Sequence, residues 1–245
     1  MPAPTTLELL WGTPDRPRRG PKPSLTLERI VGEAVELADT EGLGNLSMAR
    51  LAERVGCAKM ALYRYVPGRT ELTALMLDAA LGAPPKVEPA QADSPEPWRS
   101  YLPIWTETIY EQVRIHPWAN ELATGIRPMG PNELGWVDGA LSVLADTGLT
   151  IAEQFDTVVL LLSHARAVAM QTTVPLGDDS AEEQMARELG AVLTAQAERF
   201  PHAVAAFAAT MGGTPEPGAG NALAFGIDRI LDGLGALIAA RRESA

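Results

Sequence analysis

LSMARLAERVGCAKMALYRYVPGRTELTALMLDAAL, residues Leu46–Leu81, carries three helical patterns separated by two breaks. Ser47 has the side-chain oxygen to cap a short helix that turns Leu51, Ala52 and Val55 to one side, and Gly56 ends it. A second short helix is expected from about Ala58 to Tyr65, stopped by Pro67-Gly68. A third begins near Arg69 and brings Leu72, Leu75, Met76 and Ala79 inward. Upstream, Leu27, Ile30, Val31, Ala34, Leu37 and Ala38 recur at helical spacing behind a Thr26 cap and stop near Gly42. Two short helices joined through Val-Gly-Cys, with a longer helix on each side, describe a helix-turn-helix. Glycine suits that turn because it adopts positive φ without steric cost.

Outward from this core, proline and glycine mark the boundaries. GTPDRPRRGPKP, residues 12–23, completes what composition predicts to be a flexible basic arm over residues 1–23. The helix-turn-helix unit occupies 24–82, the proline-rich APPKVEPAQADSPEP at 83–97 reads as a linker, and a second body follows at 98–245. No β-alternation of useful length occurs, so the expected fold is all-α, a small three-helix unit followed by a larger helical domain.

The 245 residues carry a net charge of −11, which argues against a polyanionic partner until its distribution is examined. Residues 16–82 hold ten basic and eight acidic side chains, whereas residues 83–245 hold ten basic and twenty-one acidic. The acidity belongs to the second body, and a mildly basic first unit remains compatible with DNA. No apolar run reaches the roughly 18 residues of a membrane span. The N-terminus has no basic stretch followed by an apolar one, and the single Cys57 forms no internal disulfide, so a cytoplasmic location is expected.

The stretch Leu46–Leu81 resembles the DNA-binding domain of the TetR family of bacterial transcriptional regulators. Leu51-Ala52, Val55-Gly56, Leu62-Tyr63, Val66, Arg69 and Leu72 stand at that family's fixed spacing. His116–Thr150 resembles the C-terminal domain of the tetracycline-repressor subgroup. The resemblance implies a DNA-binding unit, an effector-binding and dimerisation domain, and double-stranded operator DNA as partner; His116, His164 and His202 lack metal-ligand spacing, so no metal and no cofactor are expected.

On that reading the second short helix enters the major groove. Lys59 then donates to guanine, while Met60 and Ala61 offer apolar contact to a thymine methyl. Tyr63, Tyr65, Ser47 and Arg69 are placed to meet phosphate, and Arg18, Arg19 and Lys22 of the arm to enter an adjacent minor groove. In the second body Trp105, Ile109 and Gln112 share a helix face, with Trp118 and Trp136 on the helices that follow. They are the candidate lining of an effector chamber for a planar, apolar molecule, with His164 and Gln171 as polar anchors. Phe155 and Leu162 on one long helix, and Phe225, Ile230, Leu234 and Ile238 on another, are the candidate homodimer seam. The resemblance implies a four-helix bundle between two copies.

Other readings differ in specific features. No H-x-x-x-H, G-x-S-x-G or glycine-rich phosphate loop occurs, so an enzyme is not expected. A helical module that only sequesters a small molecule has no need of Lys59 and Tyr63, and an activator shares every feature of a repressor. Tetracycline held through magnesium is not the expected effector. Members that bind it present a histidine two residues before the glycine of a G-x-R-P segment, and before Gly125-Ile126-Arg127-Pro128 that position is Ala123.

Overall fold

The computed structural model describes residues 3–12, 25–88, 94–172, 179–211 and 221–243, and the arm residues Arg18, Arg19 and Lys22 lie outside them. Among the described residues there are twelve helices and no strand. The small unit comprises α2 (Leu27–Glu41), α3 (Met48–Val55), α4 (Lys59–Leu62) and α5 (Arg69–Leu81). The larger body comprises α6 (Pro97–Ile115), α7 (Ala119–Leu122), α8 (Pro131–Ser142), α9 (Ile151–Thr172), α10 (Asp179–Ala195), α11 (Pro201–Met211) and α12 (Ala222–Glu243). A further helix, α1 (Thr6–Trp11), precedes both. No helix of the described residues is long and apolar enough to cross a membrane.

The caps read from sequence form as expected. Thr26 Oγ1 accepts the Arg29 N–H at 3.2 Å, and Ser47 Oγ accepts the Arg50 N–H at 3.2 Å. Gly56 ends α3 in the left-handed conformation, φ 73°, and its N–H donates to the Ala52 and Glu53 carbonyls. Ile30, Ala34, Leu37, Leu51, Leu62, Val66, Leu72 and Met76 close over one another as the core of the small unit. Arg54 ties α3 back to α2 through Glu33 at 2.8 Å and Glu36 at 2.7 Å.

α5 buries residues around most of its circumference, Leu72, Leu75, Met76, Leu77, Asp78, Ala80 and Leu81. A helix of that kind has neighbours all round. It packs on α2 within the small unit, and on α1, α7 and α8 on its other side. One helix is thus shared by the two bodies. In the larger body α9 lies against both α6 and α12. Ala165 and Ala169 are fully buried on α9, and Ile227, Leu231, Leu234 and Ile238 turn one face of α12 inward. His164 packs over Gly226, where a Cβ would sit 2.1 Å from the imidazole, and its Nε2 lies 3.1 Å from the Leu223 carbonyl.

Three sequence expectations change, the simplest being Ala79, which faces outward on α5 while Ala80 and Leu81 turn in. The first dozen residues are not irregular throughout: Thr5 and Glu8 form a reciprocal capping box, and Leu10 is buried against α5. Trp11 Nε1 donates to the Met129 carbonyl at 3.1 Å, so α1 touches both bodies. The second short helix is also briefer than Ala58–Tyr65. Regular α-helix covers only Lys59–Leu62, and tight turns with Arg64 N–H to Ala61 and Tyr65 N–H to Leu62 complete it.

At the start of α9, Glu153 receives the Thr150 backbone N–H at 2.8 Å and its hydroxyl at 2.9 Å, and pairs with Arg241 of α12. The Arg241 guanidinium, with those two Thr150 groups, holds the Glu153 carboxyl down to about 2. A lowered carboxylate stabilises the fold above its unfolded-state value and loses that contribution as pH falls toward the folded-state value. Glu153→Gln should therefore melt below the unsubstituted protein at pH 7, with the gap closing as pH is lowered from 5 toward 2. Thermal melts across that range check this, and a gap constant with pH contradicts it.

Candidate functional site

The exposed face of the small unit is built around α4. Lys59 is exposed and its Nζ lies 5.8 Å from the centroid of the Tyr63 ring, while Met60 is 76% exposed. Ala61, Tyr63 and Tyr65 are half-buried, and the two tyrosine rings pack against the core. Packing of the rings limits where their hydroxyls point. Ser47 stays exposed at the N-terminus of α3 while capping it, so its neighbouring backbone amides face outward. Arg69 is differently employed from the sequence reading. Its guanidinium donates to the Leu46 carbonyl at 2.9 Å and the Leu43 carbonyl at 3.1 Å, pinning the loop ahead of α3 to the start of α5. Arg64, absent from the sequence reading, is exposed between the two tyrosines.

Behind this head, the C-terminal end of α5 is held by the larger body. Trp136 Nε1 donates to the carbonyls of Leu81 at 3.3 Å and Gly82 at 2.9 Å, supplying a donor to acceptors that a helix end leaves open. Trp105 Nε1 donates to the Trp136 carbonyl at 2.9 Å, and the two indoles meet edge to face at 5.8 Å. Asp78 on α5 accepts the Glu133 N–H at 3.0 Å at the N-terminus of α8, where a carboxylate is favoured, and Asn132 Nδ2 donates to the Asp78 carbonyl. Burial raises the Asp78 pKa against the pull of those bonds. Gly130 is obligatory here, since a Cβ would fall 2.2 Å from the Asp78 carboxylate. A second tie joins α2 to the body: Asp39 Oδ1 accepts from Trp118 Nε1 at 2.6 Å and lies 2.8 Å from His116 Nδ1.

Comparison with known proteins fits this arrangement. Residues 30–75 match the profile of the bacterial regulatory proteins of the tetR family, and residues 91–238 match the tetracyclin repressor-like C-terminal domain. The chain belongs to the TetR family. It is 36% identical to the HTH-type transcriptional repressor DrrR1 of Streptomyces coeruleorubidus over 98% of this chain and 88% of that one. An HTH-type transcriptional regulator of Saccharopolyspora erythraea is 34% identical over 59% of each chain. Among solved structures, apo ActR from Streptomyces coelicolor superposes with a TM-score of 0.71 at 25% identity, covering 92% of this chain and all of that one. ActR in complex with actinorhodin gives 0.70 at 26% identity, over 86% and 96%. The protein is a DNA-binding transcriptional regulator with a helix-turn-helix head and an all-helical C-terminal domain.

For a TetR-family effector chamber, the residues named from sequence are differently placed. Trp105, Trp118 and Trp136 are 1%, 4% and 3% exposed, and all three indole N–H groups are engaged in the junction just described. Ile109 is buried beside Trp105, and Gln112 is half-buried one turn on. His164 bonds toward α12, and Gln171 is exposed at the end of α9. A cavity of about 480 Å³ lies elsewhere, between Val87, Pro97, Trp98, Val143, Asp146 and Arg242. The chamber of stacked tryptophans expected from sequence is not what these indoles form.

The long-helix seam divides. Phe155 and Phe225 are 50% and 63% exposed, joined outside by Val159, Leu160 and Leu237. Leu162 and Ile230 are half-buried, whereas Leu234 and Ile238 turn into the protomer's own core. An apolar groove of about 440 Å³ runs between α9 and α12 along Leu160, Ile230, Leu234 and Leu237.

Trp136→Phe keeps an aromatic ring in the core but leaves the Leu81 and Gly82 carbonyls without their donor. It should lower unfolding free energy by about 1–3 kcal/mol, the range for an unsatisfied buried acceptor. Urea denaturation followed by helical circular dichroism measures this; an unchanged midpoint would mean the indole N–H does not hold α5.

Proposed function

We propose that the protein is a cytoplasmic homodimeric repressor that binds a palindromic operator and is released from it by a small-molecule effector bound in the larger domain. The observation that carries the reading is α5. The helix on which α2 of the head packs also has its end tied to α8 through Trp136 and Asp78. A ligand that shifts the N-terminus of α8 therefore has a rigid element through which to move the head. Its leverage equals the difference in its affinity for the DNA-bound and released arrangements. The repressor name of DrrR1 and the actinorhodin complex of ActR support the same direction.

Pairing of two copies rests on the outward apolar stripe of Phe155, Val159, Leu160, Phe225 and Leu237, which α9 and α12 leave unpartnered in one protomer. Covered by its equivalent in a two-fold bundle, this stripe leaves water and sets two heads at a fixed separation. Lys59 and Met60 then read base edges in the major groove. Tyr63, Tyr65, Ser47 and Arg64 hold phosphates, with Ala61 against the groove wall. Arg69 acts from behind by fixing the loop that presents Ser47. The basic arm with Arg18, Arg19 and Lys22 supplies further phosphate contact.

Selection from a random duplex pool by the purified protein tests the reading. Palindromes whose half-sites lie about one helical turn, or a multiple of it, apart should emerge. On the selected site, Tyr63→Phe should weaken all sequences alike, whereas Lys59→Gln should change base preference at one position per half-site. Replacing Arg18, Arg19 and Lys22 together by Ala should flatten the salt dependence by about one unit of log–log slope for each phosphate that the arm neutralises. Selection of DNA without two-fold symmetry, or equal weakening on every sequence for both variants, contradicts it.

A further inference from the structure

Among its described residues, the larger body contains a cation that its own acceptors do not satisfy. Arg166, on α9, is half-buried, and its Nε is sealed from solvent without a hydrogen-bond partner. The charged groups that reach it are Arg127 and Glu133. Glu133 is already committed: Arg127 grips both of its carboxylate oxygens, Nη1 to Oε2 at 2.6 Å and Nη2 to Oε1. Asp78, the neighbouring buried acid, is turned to the Glu133 N–H on the α5 side. Arg127 and Glu133 therefore cancel, and the charge of Arg166 is left over. Burial, and then the repulsion of Arg127, draw the Arg166 guanidinium below its ordinary pKa, the direction expected of a cation lacking a counter-ion. Arg127 repeats the pattern on a smaller scale, because its own Nε is buried without a partner.

A buried charge without an opposite charge costs free energy, and a planar guanidinium fork is the donor best matched to a carboxylate. The neighbours of Arg166 along α9 are apolar. Leu162 and Met170 lie one turn to either side on α9, and Met170 Sδ accepts from Asn120 Nδ2 of α7 at 2.7 Å. Half-buried Leu122 and Ala123 pack against the core from the facing segment.

We propose that Arg166, backed by Arg127, is the anion anchor of the effector site, and that the effector is an organic acid carrying its carboxylate on an apolar body. This rests on the ligand-responsive reading above and deepens it. It also replaces an uncharged stacking ligand with a charged one. The anchor is coupled to the head by position, since an anion at Arg166 competes with Glu133 for Arg127. Glu133 sits at the α8 terminus that Asp78 of α5 caps.

The test uses the full-length protein without DNA and two isosteric probes, 2-naphthoate and 2-naphthamide, in calorimetric titrations. The unsubstituted protein should bind the carboxylate at least about tenfold more tightly than the amide, the ratio expected of a charge-assisted pair. Arg166→Met should erase the ratio. Arg166→Met without ligand should melt higher than the unsubstituted protein, by roughly 2–4 °C, because it removes an unpaired buried charge. Equal affinities for the two probes, including no binding of either, overturn the proposal. A preference that survives Arg166→Met, or a variant that melts lower or does not fold, overturns it as well. DNA is absent throughout, so failure here leaves the operator reading standing, and that reading fails only in the selection experiment.

Discussion

The end of α5 is the constraint on which the rest depends. A helix leaves its last carbonyls without partners, and in this chain the donor that meets two of them comes from the other body, the Trp136 indole at Leu81 and Gly82. Trp105 then holds the Trp136 backbone, and Asp78 on α5 meets the amide at the start of α8. These groups are buried or half-buried, so breaking one leaves a polar atom with little access to water. The head is thus seated on the body by bonds that are costly to open singly and cheaper to move together.

This seating explains why so acidic a chain carries a DNA-binding head. Its acid lies mainly in the larger body, and the two bodies meet through apolar helices and neutral indole donors, with buried Asp78 and the more exposed Asp39 as the carboxylates at the contact. Within the head, Arg54 and Arg69 are engaged with Glu33, Glu36 and the Leu43 and Leu46 carbonyls. Lys59, Arg64 and the tyrosine edges remain on the outer face. A ligand in the body and an operator on the head address opposite sides of one helix.

What the sequence made legible was local. Thr26, Ser47 and Gly56 announce helix ends because a cap is decided within three or four residues, and the helical periods followed from the same short range. The Thr5-x-x-Glu8 capping box was equally local, but it stood beside a proline-rich stretch whose composition dominated the reading. The roles of the tryptophans were not legible. Trp136 bonds to residues more than fifty positions earlier in the chain, and a buried aromatic at helical spacing reads the same whether it lines a chamber or closes a junction. Arg69 looked like a phosphate donor for the same reason, since its carbonyl partners lie in a loop twenty-odd residues back. Arg166 carries no sequence signal at all, because being without a counter-ion is a property of what the fold brings near it.

If the Trp136 and Asp78 contacts set the orientation of the reading head, the separation of two heads in the proposed homodimer reports on them directly. A spin label on exposed Met60→Cys, in a Cys57→Ser background, gives one head-to-head distance per homodimer by pulsed dipolar spectroscopy. A single narrow distance distribution is expected, broadening markedly when Asp78→Ala and Trp136→Phe are introduced together, with helical content retained. A distribution of the same width and position with the junction broken, or no dipolar coupling at all, would contradict it.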